Sequence, residues 1–224
     1  MLAAILFLFF QKLFNKEIAY SIILVVVLIY LGIVIYLRSK LVYYLMYYYY
    51  FTMLIDNIEP KTPYKKLYTS TWLKQFSEKG FEKTMDNDDF VIYHKFYDKI
   101  PKFGRTGRVL IAFVVSKNEA YDFYDLRVND QIENIYQNYK YQKRVKKQLI
   151  IHFKKYQNYE EKLKEELTHI INFKNGDYVY INLPIGYFVS ENKVYFLRPK
   201  KKFPNKYYYY AVQLANDYSY IKDE

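Results

Sequence analysis

Residues 18–37 read IAYSIILVVVLIYLGIVIYL, an apolar run without a charged residue, and this segment decides how the rest of the chain is organised. As a helix that rises about 1.5 Å per residue, it measures about 30 Å, the hydrocarbon thickness of a bilayer. Fourteen of its residues are Ile, Leu or Val, and at about −0.3 to −0.6 kcal/mol each they favour insertion by roughly 4 to 8 kcal/mol. Two buried strands are the alternative, but strands usually run about 3 to 10 residues and no turn divides this run. The sequence therefore predicts a transmembrane helix over residues 18–37.

The segment that follows the predicted span is also apolar. Arg38 and Lys40 mark the exit from the hydrocarbon, and residues 41–55, LVYYLMYYYYFTMLI, carry no charge. Tyrosine favours the headgroup layer because its ring is apolar and its hydroxyl is hydrated. We interpret residues 41–58 as a Tyr-rich helical extension of the span. The alternative is a tight loop at residues 38–40 and a short second span over residues 41–55, which would reach only about 22 Å as a helix.

Residues 1–14, MLAAILFLFFQKLF, form a short apolar lead. A helix of this length measures about 20 Å, too short to span a bilayer comfortably. The segment also lacks the basic start and the cleavage site of a signal peptide. We expect it to lie in the interface or to pack against the span. Residues 1–58 are thus predicted to be a single-pass membrane anchor, and residues 59–224 one soluble domain.

The composition makes the domain basic and excludes cysteine chemistry. The net charge is +11, and the first 55 residues hold only four Lys or Arg and one Glu, so most of the positive charge belongs to the domain. The absence of cysteine excludes disulfides, thiolate metal sites and cysteine nucleophiles. Tyrosine, at 30 residues, is abundant together with Lys, Asn and Ile, which is typical of an AT-rich genome. Lys61, Lys65 and Lys66 follow the anchor, and the positive-inside rule therefore predicts a cell-membrane protein whose domain faces the cytoplasm.

The pattern after the anchor predicts an α+β fold. Residues 90–97 and 108–116 are rich in β-branched and aromatic residues and predict an antiparallel hairpin. Apolar residues at helical spacing predict helices over residues 64–79, 130–141 and 159–171. Further strands are predicted over residues 178–183, 187–190, 193–197 and 207–214, and residues 148–153 are compatible with a strand or a helix. We therefore expect a mostly antiparallel sheet with helices packed on one side.

None of the sequence motifs has catalytic or metal-binding spacing. His94, His152 and His169 are scattered and lack the spacing of metal ligands. The GRTGR stretch, residues 104–108, lacks the Walker lysine and the following helix, so we interpret it as a hairpin loop. The acidic run at residues 86–89 lacks the glycine and glutamate positions of an EF-hand. We predict no catalytic residue, no metal site and no cofactor, and leave open whether the chain is an enzyme.

Two basic groups are the candidate functional residues. Cations interleaved with aromatic rings suit nucleic acid, through phosphate contacts and base stacking. Such cations suit anionic lipid headgroups equally well, at about 1 kcal/mol per Lys or Arg near the surface. The members are Lys140, Lys143, Arg144, Lys146 and Lys147 in the first group, and Arg198, Lys200, Lys201, Lys202 and Lys206 in the second.

The sequence favours a membrane-anchored, non-enzymatic interaction or accessory protein. Its expected partners are the lipid bilayer and anionic lipid headgroups, because the anchor already tethers the basic domain to a membrane. The alternative is a membrane-tethered nucleic-acid-binding or nuclease-like protein, for which Glu160, Glu161 and Lys162 supply carboxylates and a lysine. If the domain faces outward, an envelope enzyme is a third alternative. The identity of a protein partner is left open.

Overall fold

The computed structural model describes residues 16–100, 103 and 107–222. The chain divides into two compact units, Met1–Tyr50 and Phe51–Glu224. The predicted apolar lead and residues 104–106 of the GRTGR stretch lie outside the described residues.

Helix α1, Lys16–Ile55, is one continuous helix. It passes through residues 38–40 without a break, so the loop that a second span requires is not formed. Nearly all the apolar side chains described between Ile18 and Tyr48 are exposed around the helix, with Ile22 and Ile23 half-buried, and a helix that is apolar all round lacks the polar face of a surface helix. By length and composition, it is the one helix in the described residues able to cross a membrane.

The second unit begins within the last turns of α1, where Met53 is buried. It combines a seven-stranded sheet with helices, which confirms the α+β prediction. Its helices are α2 (Ser70–Glu78), α3 (Leu126–Gln137), α4 (Glu161–Thr168) and α5 (Lys206–Tyr218). Its strands are β1 (Glu82–Asp86), β2 (Phe90–Tyr97), β3 (Arg108–Ser116), β4 (Val145–Tyr156), β5 (Ile171–Asn175), β6 (Tyr178–Phe188) and β7 (Lys193–Tyr195).

The sheet is mixed, whereas the sequence predicted a mostly antiparallel one. The strand order is β1-β2-β3-β4-β6-β5, with β7 also paired to β6. Strands β1, β2 and β3 are antiparallel neighbours, as are β5 and β7 with β6. The two central pairings, β3 with β4 and β4 with β6, are parallel. Parallel neighbours need a crossover, and α3 supplies the first one while α4 and β5 lie within the second.

Helices cover both faces of the sheet rather than one. On the first face, Leu110 and Ala112 of β3 belong to a buried cluster with Val128 and Ile132 of α3 and Leu167 of α4. Alternate residues of a strand point to opposite faces, so the neighbouring positions of β3 and β4 need a second cover. This is why β3 is apolar almost throughout, whereas the lysines of β4 lie toward its two ends.

Aromatic rings fill the core on the second face. Trp72 of α2 lies 5.2 Å from Phe153 of β4, and Phe76 lies 5.1 Å from Phe113 of β3, measured between ring centroids. Tyr218 of α5 lies 4.3 Å from the same Phe113 ring. The Trp72 indole Nε1 donates a hydrogen bond of 2.7 Å to the Tyr218 carbonyl oxygen. Helices α2 and α5 are therefore joined to each other and to the sheet.

The end of the chain corrects one strand prediction. Residues 207–214, predicted as a strand, lie in helix α5. The Asn205 side chain accepts hydrogen bonds from the backbone N–H groups of Tyr207 and Tyr208 and caps the helix. Tyr208, Ala211 and Ala215 are buried, at the spacing of one helical face. Helix α3 begins at Leu126 rather than at the predicted residue 130, and the Asp125 side chain caps it.

Gly186 of β6 is needed for the close approach of α4. A Cβ atom at this position would lie 2.5 Å from Cδ1 of the buried Leu167. We expect Gly186→Ala to lower the free energy of unfolding by about 1–3 kcal/mol through overpacking, and Leu167→Ala to lower it by about 2–5 kcal/mol through a cavity. Because the new methyl group enters that cavity, the double variant should lose less free energy of unfolding than the two single variants lose together. Denaturant unfolding of the detergent-solubilised chain measures these free energies. Strictly additive losses would contradict the close contact between Gly186 and Leu167.

Candidate anion-binding surface

Tyr141 is the centre of the first basic group. It lies between α3 and β4, and its ring is approached by the guanidinium carbons of Arg108 at 4.1 Å and Arg144 at 5.8 Å. The Lys140 Nζ lies 5.5 Å from the same ring. Each such pair contributes about 0.5–1 kcal/mol at exposed sites. Arg108 joins the group because β3 and β4 run parallel with Arg108 opposite Val145, so both strands begin at the same edge of the sheet.

The start of helix α5 lies beside the start of β4. The Lys147 Nζ lies 5.9 Å from the Tyr207 ring, and the Lys206 Nζ lies 5.4 Å from it. Burial is the main cause that lowers the pKa of Lys147, with Asp177 opposing that shift. Lys146 lies 3.6 Å from the carboxylate of Asp177. Lys147 is only 6% exposed and therefore adds positive potential without offering its ammonium group to a large partner.

The second predicted group is divided by the structure. Arg198 is buried, and its Nη1 donates a hydrogen bond of 2.7 Å to Oδ1 of the buried Asn216. It therefore holds α5 to the end of β7 rather than facing solvent. Lys200, Lys201 and Lys202 are exposed in the connection that follows. The backbone N–H groups of Lys200 and Lys201 donate to the carbonyl and the carboxylate of Asp56, respectively.

The structure thus assembles a smaller surface than the sequence predicted, and one with an additional member. Sequence reasoning placed Arg108 where the GRTGR loop meets the predicted strand 108–116 and did not join it to either basic group. Only the parallel register of β3 with β4, which depends on pairing between distant segments, brings it to the first group. Lys147 and Arg198 are excluded by burial, and Lys200–Lys202 form a separate exposed stretch. We call the remaining cations the basic edge, which consists of Arg108, Lys140, Lys143, Arg144, Lys146 and Lys206.

A buried polar cluster lies toward the opposite, carboxyl ends of the parallel strands. This is the position where open α/β sheets place their ligands. The Tyr121 hydroxyl lies 2.7 Å from Nδ1 of His152, and Nε2 of His152 has no hydrogen-bond partner among the described residues. Burial lowers the pKa of His152 to about 3. The rings of Tyr121 and Phe123 lie 6.1 and 6.0 Å from the imidazole, so this histidine is a packed core residue.

A partly buried ion pair lies on the same face of β4. Lys154, which is 6% exposed, places its Nζ 2.8 Å from Oε1 of Glu166 in α4. Burial and the neighbouring Glu166 carboxylate raise the pKa of the Tyr156 hydroxyl. These groups connect α4 to the sheet. The other two histidines lie elsewhere, His94 on β2 and His169 at the end of α4, so the three histidines share no site.

The acidic residues near β1 and β2 are neutralised by neighbouring cations. Lys117 Nζ lies 2.6 Å from Asp86, and Arg127 lies 2.6 Å from Asp89. Hydrogen bonds from these cations are the main cause that lowers the pKa of both carboxyl groups. Within the described ranges, no group of His, Asp and Glu side chains is arranged to hold a metal ion. Glu160 and Lys162 pair with each other at 2.6 Å on the exposed start of α4.

Comparison with protein-family models, curated proteins and solved structures gave no match. The basic edge, defined by this chain's own residues, is therefore the candidate functional site.

The buried His152 predicts acid sensitivity. Its pKa is about 3 in the folded protein and about 6.5 in an unfolded chain, so below pH 6.5 the unfolded state takes up a proton that the folded state does not. Stability is therefore fully present above about pH 6.5 and falls toward pH 3, by at most about 1.4 kcal/mol per pH unit from this group. Denaturant unfolding between pH 7 and pH 5 should show this slope, and His152→Gln should reduce it. His169→Gln, exposed at the end of α4, is the control; an unchanged slope in His152→Gln would contradict the assignment.

Proposed function

We propose that this chain is a membrane-anchored, non-enzymatic interaction protein whose domain binds anionic lipid headgroups through the basic edge. The observation that carries the proposal is the convergence of six Lys and Arg residues at one edge of the sheet, in a chain that also contains a helix able to cross a membrane. The proposal includes the cytoplasmic side for the domain.

The dimensions of α1 support the membrane part of the proposal. Its 40 residues extend about 60 Å, twice the hydrocarbon thickness of about 30 Å. If residues 18–37 cross the hydrocarbon, then Arg38 and Lys40 lie at its limit and the tyrosines that follow lie in or beyond the headgroup layer. The Lys40 Nζ lies 4.8 Å from the Tyr36 ring, a cation and an aromatic ring that both suit this boundary.

The chemistry of the basic edge supports lipid as the partner. Exposed Lys and Arg gain about 1 kcal/mol each near an anionic leaflet, and Asp98 and Asp177 offset only part of that charge through their contacts with Arg108 and Lys146. Tyr141 is 40% exposed beside three of the cations. Tyrosine and basic side chains together suit the headgroup layer.

Single-stranded nucleic acid is the second candidate, because the same arrangement of Tyr141 and its cations offers an aromatic ring for base stacking beside charges for phosphate. Lipid is preferred because a tethered domain meets the bilayer at high effective concentration. Binding to nucleic acid that falls steeply with salt, in the absence of vesicle binding, would favour this second candidate.

The lipid proposal predicts that neutralising the basic edge weakens binding to anionic vesicles. Detergent-solubilised protein should bind vesicles containing phosphatidylglycerol more tightly than vesicles of phosphatidylcholine alone. The triple change of Lys140, Lys143 and Arg144 to Gln should weaken that binding about a hundredfold, at about 1 kcal/mol per residue. The matched control changes Lys66, Lys74 and Lys193 to Gln, which are exposed elsewhere on the domain. An equal loss of binding in both triple variants, or no preference for anionic vesicles, would contradict the claim that the basic edge is the lipid-binding site.

The orientation predicts where an introduced thiol can be labelled. The natural chain has no cysteine, so Ser190→Cys, in the exposed turn between β6 and β7, creates a single reporter. A membrane-impermeant maleimide should leave this residue unlabelled in intact cells and label it after permeabilisation. Labelling in intact cells would place the domain outside and remove the cytoplasmic part of the proposal.

A further inference from the structure

A cleft of about 650 Å³ lies between the β1–β2 hairpin and α3. It adjoins the basic edge, since the Tyr139 ring in its lining lies 5.9 Å from the Tyr141 ring, but none of the six cations of that edge lines it. Its size is within the range of about 300–1,000 Å³ that small-molecule sites occupy.

One wall of the cleft comes from alternate positions of two paired strands. Glu82 and Thr84 of β1 and His94 and Phe96 of β2 line it, and Glu82 pairs directly with His94 in the antiparallel register. Side chains at alternate positions of a strand share one face, so the hairpin presents these four groups together. Strand β1 is the outermost strand on this side of the sheet, where its side chains are open to a ligand.

The polar groups of this wall are held in place by one another. The Thr84 hydroxyl lies 2.5 Å from Nδ1 of His94, and Nε2 of His94 lies 3.8 Å from the Glu82 carboxylate. With the proton on Nε2, the imidazole directs an N–H toward the carboxylate at a distance longer than a hydrogen bond, and the Thr84 hydroxyl donates to Nδ1. Burial lowers the pKa of His94, with Glu82 opposing the shift, so the ring is neutral at physiological pH.

The other wall is a row of amides on α3. Gln131, Asn134 and Asn138 line the cleft at i, i+3 and i+7, which is one face of a helix. The bonds described for the chain include none to these three amide side chains, so each offers an acceptor oxygen and an NH₂ donor to a ligand. The stacked rings of Phe96 and Tyr139, 3.7 Å apart, and the Ile135 side chain add an apolar surface.

The charges of the cleft argue against an anionic ligand. The one Lys in its lining, Lys95, donates its ammonium group to the Lys79 carbonyl oxygen at 2.7 Å. Glu82, 84% exposed, contributes a negative charge, and the remaining polar groups are amides, a hydroxyl and a neutral imidazole. A ligand that matches them carries several groups that both donate and accept hydrogen bonds, has no net charge, and has an apolar face for the aromatic rings.

We propose that this cleft binds the neutral sugar moiety of a carbohydrate or of a glycolipid headgroup. Sugar hydroxyls donate and accept hydrogen bonds at once, as the amide row requires, and the C–H face of a sugar ring packs on aromatic surface. Free carbohydrate and the headgroup of a neutral glycolipid share this chemistry and are separated by the experiment.

The test uses the full chain in a detergent without a sugar headgroup, because maltoside and glucoside detergents would compete. Saturation-transfer NMR is recorded with glucose, galactose, N-acetylglucosamine, maltose and myo-inositol at millimolar concentration, and vesicle binding is measured with and without a neutral glucosyl diacylglycerol. We expect transfer to at least one sugar, or vesicle binding that requires the glycolipid. The first result identifies free carbohydrate as a ligand, and the second identifies the lipid-borne headgroup.

Two exposed amides provide the variants. Asn134→Ala and Asn138→Ala should each weaken binding about tenfold, the effect of about 1.4 kcal/mol, without a change in the unfolding midpoint. Asn129→Ala removes an exposed amide of the same helix that does not line the cleft and should bind as the natural protein does. Absence of binding in both arms, or binding that is unaffected by either cleft variant, would overturn the proposal.

Discussion

The parallel pairing of β3 with β4 is the constraint on which the rest of the domain depends. Both strands are buried on their two faces, so helices must cover the sheet from both sides. The pairing also requires a crossover, and α3 in that crossover forms one wall of the cleft. Finally, it places the starts of the two strands at one edge and their ends at the other. The cations collect at the first edge, and the buried His152 lies toward the second.

Much of the local structure could be predicted because it depends on neighbouring residues. The predicted strands at residues 90–97 and 108–116 have the bounds observed for β2 and β3, since runs of β-branched and aromatic residues specify a strand locally. Residues 148–153, left between strand and helix, lie in the longer strand β4. The parallel order was not predictable, because it results from contacts between segments far apart in the chain. The strand prediction for residues 207–214 was wrong for a related reason. Tyrosine favours strands, but the Asn205 cap and the buried face of the helix outweigh that local preference.

The sequence predicted the residue types of the candidate site but not which residues form it. Residues 140–146 were found because their charge is contiguous in sequence, and Arg108 was missed because it joins them only through strand register. Burial removes Lys147 and Arg198, and a sequence does not reveal which lysine of a basic run occupies an inward position. The amide row of α3 escaped notice for a different reason. Gln131, Asn134 and Asn138 are ordinary polar residues of a helix face, and they become a candidate site only when β1 and β2 are placed opposite them.

The number of tyrosines in the sequence and their positions in the fold have different causes. The chain has 30 tyrosines, but a compositional bias toward tyrosine does not explain where the folded chain puts them. Buried tyrosines have specific partners: the Tyr208 hydroxyl donates to the Leu197 carbonyl oxygen at 2.7 Å, inside the core. At the basic edge, by contrast, Tyr141 is 40% exposed and has three cations near its ring. A tyrosine ring attracts a cation through its face while its hydroxyl stays hydrated, so the same residue type that fills the core also keeps several like charges together at an exposed edge. The abundance of tyrosine is thus a property of the sequence, whereas its pairing with lysine and arginine at one edge is a property of the fold.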